Sequence, residues 1–267
     1  MATTTRHRAE AMLLPLLGIV VVLVAFEVAP RAGVLPRQSF PPVSEIFSAL
    51  AELVAAGELW TPVLETLDGW ARAMLIAAVI AIPLGMLIGT SQVAALTMRL
   101  PVEFLRPIPS VALIPILILL YGSQGPELKI ALGAFGATFP LLFQASYGIA
   151  DIDPVARDTA RAFGLRFRHR LRYLVLPTMM PYLATGLRLS AAVALILVIT
   201  GEYIVGVPGL GREVYSSQSG GAYSRMYGLI ITAGLLGLAV NIGLQVAERR
   251  VLRWHPSQRA RLEGGAV

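Results

Sequence analysis

The amino-acid sequence predicts an all-α integral membrane protein with six helices crossing the bilayer, on three observations. Of 267 residues, 56% are hydrophobic and only 14% are charged, against roughly 25% charged in an ordinary soluble domain. Mean hydropathy is +0.70, which excludes intrinsic disorder, because disordered chains are polar and charge-rich. Apolar stretches of the length needed to cross hydrocarbon, about 20 residues, recur along the chain.

The first stretch is Met12 to Ala29, behind the basic start Arg6-His7-Arg8. It resembles a signal peptide, but its apolar run is long and the later spans need no cleaved leader, so it is expected to stay as a helix. From Pro30 to Pro62 the chain is expected outside. There Pro41-Pro42 and Ser44 begin an amphipathic stretch, Glu45 to Ala55, read as a short helix on the outer surface. The second span runs from about Thr66 to Thr90 and the third from Ile108 to Tyr121. Pro107, Pro109 and Pro115 remove backbone donors in the third, which should be kinked or start late. Lys129 to Ile149, Tyr182 to Val205 and Tyr227 to Val246 complete the six. Gly85 and Gly89 form a GxxxG pair, and Gly133, Gly136, Gly234 and Gly237 add others. Their expected role is ordinary helix packing within the subunit.

Even span number puts both termini on one side, and basic residues say which. The terminal side carries 15 arginines, from Arg6 and Arg8 through Arg99, Arg106 and the Arg157–Arg172 run to Arg249–Arg261. The other side carries five basic residues: Arg31, Arg37, Lys129, Arg212 and Arg225. By the positive-inside rule both termini are cytoplasmic, in the cell inner membrane. Three segments are expected: 1–62, a transmembrane helix plus outer-surface segment; 63–250, the transmembrane core, with a loop at 151–180; and 251–267, a cytoplasmic basic tail.

Several chemistries are excluded. There is no cysteine, so disulfides and thiolate chemistry are absent. Lys129 is the sole lysine and Ile130 follows it, so no phosphate-binding loop exists. The three histidines (His7, His169, His255) lie far apart, without metal-binding spacing, and no GxSxG elbow occurs. No cofactor or metal is expected on this chain. The net charge of +6 fits basic loops facing anionic lipid, and no nucleic-acid partner is expected.

The loop after the fourth span is the most informative segment. Asp153-Pro154 makes a cap and first-turn proline, Gly164 can end the helix, and Leu165 to Leu176 resume helix into the fifth span. Between Arg157 and Arg172 six arginines meet one acid, Asp158, with like-charge pairs at i,i+4 (Arg157/Arg161, Arg166/Arg170, Arg168/Arg172). Each such pair is unfavourable, so compensation must come from anionic headgroups or an acidic partner surface.

Asp158-Thr159-Ala160, three residues, Gly164, nine residues, Leu174, then Leu176-Pro177 resembles the EAA motif of binding-protein-dependent ABC importer permeases. It departs only in Asp for Glu and Thr for Ala. Pro83-Leu84-Gly85, Arg106-Pro107-Ile108-Pro109, Tyr121-Gly122, Pro181-Tyr182, Thr185-Gly186-Leu187-Arg188, Gly201-Glu202 and Gly209-Leu210-Gly211 are similar to the nitrate/sulfonate/taurine/bicarbonate branch. The resemblance implies a type I importer permease that pairs with a second copy of itself. It also implies two ATP-binding-cassette ATPase subunits carrying the ATP and Mg, and an extracytoplasmic solute-binding protein. In it the loop becomes a coupling helix, with Asp158, Thr159, Ala160, Arg161, Phe163, Gly164, Leu174, Leu176 and Pro177 as ATPase-coupling residues.

Ionisable and polar residues inside spans are default candidates for the transport path. Glu202 leads, because the resemblance also places an acid there; its structural alternative is an acid paired with a backbone donor, Arg188 or Arg212. Gln144 and Asn241 either line the path or bond neighbouring helices. Arg188 is expected to snorkel, and Glu27 and Arg72 to be interfacial. The expected function is thus the permease of an ATP-driven importer for a small solute. A self-sufficient secondary transporter or channel is the alternative, though no internal repeat is visible. An embedded enzyme is disfavoured for want of a catalytic constellation.

Overall fold

The computed structural model describes residues 2–123 and 125–253, and every described regular element is helical. α1 (Ala2–Arg31) is a helix of 30 residues containing the first expected span; the side chains of residues 1–13, 15 and 16 lie outside the described set. α2 (Val43–Ala55) is the expected short helix behind Pro42. α3 (Trp60–Thr90) follows, stopping where Ser91 caps α4 (Gln92–Leu105) by accepting the Ala94 N–H at 3.2 Å. A 3₁₀ turn (Ser110–Leu113) leads into α5 (Ile114–Tyr121), and α6 (Glu127–Ala150) runs back.

α7 (Pro154–Ala162) and α8 (Phe167–Arg170) form the loop. A π-helical turn, Leu171–Val175, joins α8 to α9 (Leu176–Val205). Pro177 has no N–H for the Tyr173 carbonyl, and the ladder widens there: the Leu176 N–H donates to Leu171 O, five residues back. α10 (Leu210–Ser219) and α11 (Tyr223–Val251) end the described chain.

Among the described residues four helical segments are long and apolar enough to cross a membrane: Trp60–Thr90, Glu127–Ala150, Phe167–Val205 and Tyr223–Val251. The expected third span is not one helix. α5 has eight residues, and the Gln92–Leu105 and Ser110–Tyr121 segments meet at 85°. The break falls on Arg106-Pro107-Ile108-Pro109, where each proline disfavours helix in the residue before it. Counting that bent pair as one span gives five. Most of the expected basic tail, from residue 254 on, lies outside the described residues.

The chain divides into two compact units. One holds the chain up to Pro62 with Glu213–Ala233; the other holds Val63–Arg212 with the chain from Gly234. In the first, the Ser44 N–H donates to Glu27 at 2.9 Å, Glu27 pairs with Arg31 at 2.6 Å, and Arg225 pairs with Glu58 at 2.9 Å. Ile46, Leu53, Met226 and Leu229 are buried there.

In the second unit α6 and α9 pack along their lengths with α3 against them. A Cβ on Gly85 would sit 2.6 Å from Leu142 O, and one on Gly89 2.7 Å from Ile149 Cβ. The GxxxG pair therefore seats α3 on α6 inside the subunit. Gly133 and Gly186 do the same between α6 and α9, with Val198 and Gln144 as their neighbours. Trp70 Nε1 donates to Ala191 O at 3.0 Å, and Ser190 Oγ to Ala137 O at 2.6 Å. These bonds satisfy polar groups where lipid offers no partner.

Candidate functional site

Two features of the second unit stand at opposite ends of its long helices. The first is the basic loop. Asp153 caps α7, accepting the Val155 N–H at 2.9 Å, and Pro154 occupies the first turn, where its missing donor costs nothing. α7 ends at Gly164, whose φ is +64°. Gly164 N–H donates to Arg161 O at 2.9 Å and Leu165 N–H to Ala160 O at 3.0 Å. This is the Schellman pair of bonds, which needs a left-handed residue at that point. The expected helix, glycine turn and helix are therefore present, with the second helix starting at Phe167 rather than Leu165.

The motif residues divide by exposure. Ala160 is buried, and Leu174 and Pro177 are half-buried against the body of the unit. Asp158, Thr159, Arg161 and Gly164 are exposed, Leu176 is 38% exposed and Phe163 is 80% exposed. Val155 at 71% and Phe167 at 69% join Phe163, an apolar group next to a strongly basic one. Thr159 bonds its own helix at Val155 O, and Arg161 reaches Asp158 only at 3.4 Å, so most of the exposed motif is not consumed by internal contacts.

The second feature is a buried ion pair. Lys129 Nζ lies 2.8 Å from Glu202 Oε1, with side-chain exposures of 3% and 0%. Lys129 also donates to Glu65 O at 3.0 Å and Pro208 O at 2.5 Å. Glu202 Oε2 accepts the Gly211 N–H at 3.0 Å, and the Thr66 hydroxyl lies 2.9 and 3.0 Å from the two carboxylate oxygens. One hydroxyl proton serves one oxygen at a time, while Thr66 Oγ1 in turn accepts the Leu210 N–H at 2.9 Å.

No buried side-chain polar atom among the described residues lacks a partner. That condition is what makes a buried ion pair tolerable. The backbone bends to allow it. Gly209 has φ +145°, and a Cβ there would lie 2.1 Å from Glu202. The pair thus ties the corner between α9 and α10 to the first turns of α3 and α6.

Lys129, expected on the outer side at the start of the fourth span, is buried within the protein. Glu202 is expected either to lie on the transport path or to pair with a backbone donor, Arg188 or Arg212. It takes the Gly211 N–H and Lys129, while Arg188 pairs with Glu248 at 3.6 Å. The physical reason is length: the lysine stem reaches inward from the first turn of α6 to a carboxylate on the adjacent face of α9. Two opposite charges near the same ends of apolar helices were the available signal, since such groups in a bilayer seek each other. Arg72 is exposed and pairs with Asp68 at 3.0 Å. Gln144 and Asn241 are half-buried, on α6 and α11, and are not brought together with the Lys129–Glu202 knot. No group of three or more metal-ligating side chains converges among the described residues.

Comparison with known proteins agrees with this architecture. The Escherichia coli (strain K12) permease named for aliphatic sulfonates transport, SsuC, is 29% identical over 243 residues, covering 90% of each chain. The bicarbonate transport system permease protein of Synechococcus elongatus is 25% identical over 258 residues, covering 93% of this chain and 92% of its own. The MetNI methionine ABC transporter, solved in inward-facing conformations, superposes with a TM-score of 0.60 at 23% identity, covering 72% of this chain and 93% of that one; at that identity the likeness concerns the fold. Residues 81–253, which include the whole basic loop and both Lys129 and Glu202, match the family described as the inner membrane component of binding-protein-dependent transport systems, and the chain belongs to that family.

Proposed function

We propose that this chain is the permease of an ABC transporter of the sulfonate/taurine/bicarbonate type, working as an ATP-driven importer. It sits in the inner membrane with both termini cytoplasmic and pairs with a second copy. ATPase subunits bind the basic loop, and an extracytoplasmic binding protein delivers a small solute to the other face. Like its permease relatives, it is not itself an enzyme: ATP and Mg belong to the ATPase. Residues 1–62 flank the transporting core, 63–250, and the tail from 251 lies in the cytoplasm.

The observation that carries this reading is the turn at Gly164, which projects Phe163 at 80% exposure from a motif of fixed spacing. A chain without a nucleotide site must receive force through a rigid piece of backbone. The Schellman-closed corner, its buried Ala160 and its half-buried Leu174 anchor supply that rigidity. Asp158, Thr159, Arg161, Phe163 and Leu176 form the contact surface, and Pro177 fixes the widened turn that leads motion into α9. Gln144 and Asn241 are assigned to the path. Glu202, sealed by Lys129, Thr66 and Gly211, serves as an anchor of the far corner.

The test compares Gly164→Ala with Gly164→Glu at matched expression, reading co-purified ATPase and solute uptake. A Cβ at Gly164 meets nothing within 4 Å in this chain, so each variant carries only the left-handed strain of about 1–2 kcal/mol. The Glu variant should lose ATPase or uptake at least tenfold more than Ala, because a groove on the partner has no room for it. Equal behaviour of the two would remove this loop from the mechanism.

A further inference from the structure

Behind the Gly164 turn lies a cavity of about 290 Å³ that shares Arg161 and Leu174 with the coupling motif and is otherwise lined by residues outside it. Three arginines line it, Arg157 and Arg161 from α7 and Arg170 from α8, and no carboxylate residue does. Its floor is apolar, including Ile149, Ile152 and Phe167. We propose that this cavity is a binding site for a phosphate ester, either the headgroup of an anionic phospholipid or a soluble organic phosphate.

Charge argues first. Three arginines lining one small cavity repel one another unless an anion joins them, and the internal partners given for Arg157 and Arg161 are long. Arg157 Nη2 reaches Ile149 O at 3.4 Å, and Arg161 meets Asp158 at 3.4 Å with both side chains exposed. These distances exceed the usual 2.7–3.2 Å of a good N–H···O bond. Guanidiniums present paired donors in a fork that matches phosphate oxygens.

Shape argues next. The volume is close to the lower end of the roughly 300–1,000 Å³ typical of small-molecule pockets, and cations at the wall over an apolar floor suit a charged ester with a glycerol or acyl stem. Local geometry is a third point. Three further cavity residues, Leu171, Leu174 and Val175, come from the π-helical turn Leu171–Val175, a feature frequent at functional sites. Occupancy would bridge α7 to α8 and set the angle at which the Gly164 corner leaves the body. The inference rests on the loop lying at the cytoplasmic leaflet and not on ATPase docking.

The test uses the purified full chain without any ATPase, so failure of the coupling proposal would leave it intact. Arg157, Arg161 and Arg170 are changed together to Gln. A control triple changes Arg166, Arg168 and Arg172, outside the cavity, removing the same charge. Both are titrated in zwitterionic nanodiscs with phosphatidylglycerol, and separately in detergent with glycerol phosphate, reading bound phosphate per chain by native mass spectrometry. Matched thermal transitions confirm that the variants are folded.

The cavity triple should bind at least tenfold more weakly while the control stays within about twofold of wild type. Saturable binding of phosphatidylglycerol alone identifies a lipid; binding of glycerol phosphate as well identifies the soluble ester. Equal loss in both triples would mean unspecific attraction to the basic loop, with an acidic protein surface left as the partner of these arginines. That result, or undiminished binding in the cavity triple, overturns the proposal.

Discussion

Removing the ammonium of Lys129 strands a carboxylate that is wholly shut from solvent. In Lys129→Met, Glu202 keeps the Thr66 hydroxyl and the Gly211 N–H but loses its only cation, while Glu65 O and Pro208 O lose a donor. Breaking a buried pair from one side costs about 3–5 kcal/mol, mostly through the uncompensated charge. At roughly 2–4 °C per kcal/mol for a chain of this size, the melting temperature should fall by about 6–20 °C. Glu202→Gln, of nearly the same shape, should also destabilise because the ammonium is then stranded.

The double variant Lys129→Met/Glu202→Met strands no charge, so it should cost less than the sum of the single changes. The coupling energy should be near the upper end of the roughly 0.5–3 kcal/mol seen for interacting neighbours. The assay is thermal unfolding of the purified permease in one detergent, with limited proteolysis between Val205 and Gly211 as a local readout. Additive singles, or a Lys129→Met cost below about 1 kcal/mol, would refute the claim that this pair holds the corner.

Other consequences are as direct. Gly209→Ala places a Cβ 2.1 Å from Glu202 and should destabilise more than Gly57→Ala, where φ is also positive but nothing lies within 4 Å; paired melting curves check this. Gly85→Leu should disrupt assembly of α3 on α6, since Leu142 O and Ala145 Cβ lie within 2.7 Å of the added carbon, and should reduce the folded, monodisperse yield several-fold. A reporter fused after Val267 should read cytoplasmic and one inserted near Ser217 should read outside; both on one side would contradict the topology. Purified complexes should contain two copies of this chain, and a single copy bearing ATPase without a second permease would overturn the dimer.

Much of the fold follows from local patterns in the chain. Apolar length marks α3, α6, α9 and α11, and Asp153-Pro154 with Gly164 marks both ends of α7, because caps and left-handed glycines act within a few residues. The bend at Arg106–Pro109 was visible as prolines, but its 85° angle is decided by packing. Lys129 was legible only as a charge at a span's edge. Its burial depends on Pro208 O and Glu65 O, 79 and 64 residues away, and no local pattern encodes such a meeting. The cavity behind α7 was likewise hidden: six arginines along a loop do not say which three will line one cavity.

The central claim, that the Gly164 corner is where an ATPase meets this chain, has a clean chemical test because the chain contains no cysteine. A single Phe163→Cys, labelled with a short thiol-reactive photo-cross-linker whose other end inserts into neighbouring C–H or N–H bonds on irradiation, should cross-link in native membranes to the ATPase that co-purifies with the permease. The same cysteine placed at Leu119, 86% exposed on α5, should not. Efficient cross-linking from 163 and none from 119 is the predicted result; equal yields, or none from 163 in an intact complex, would contradict it.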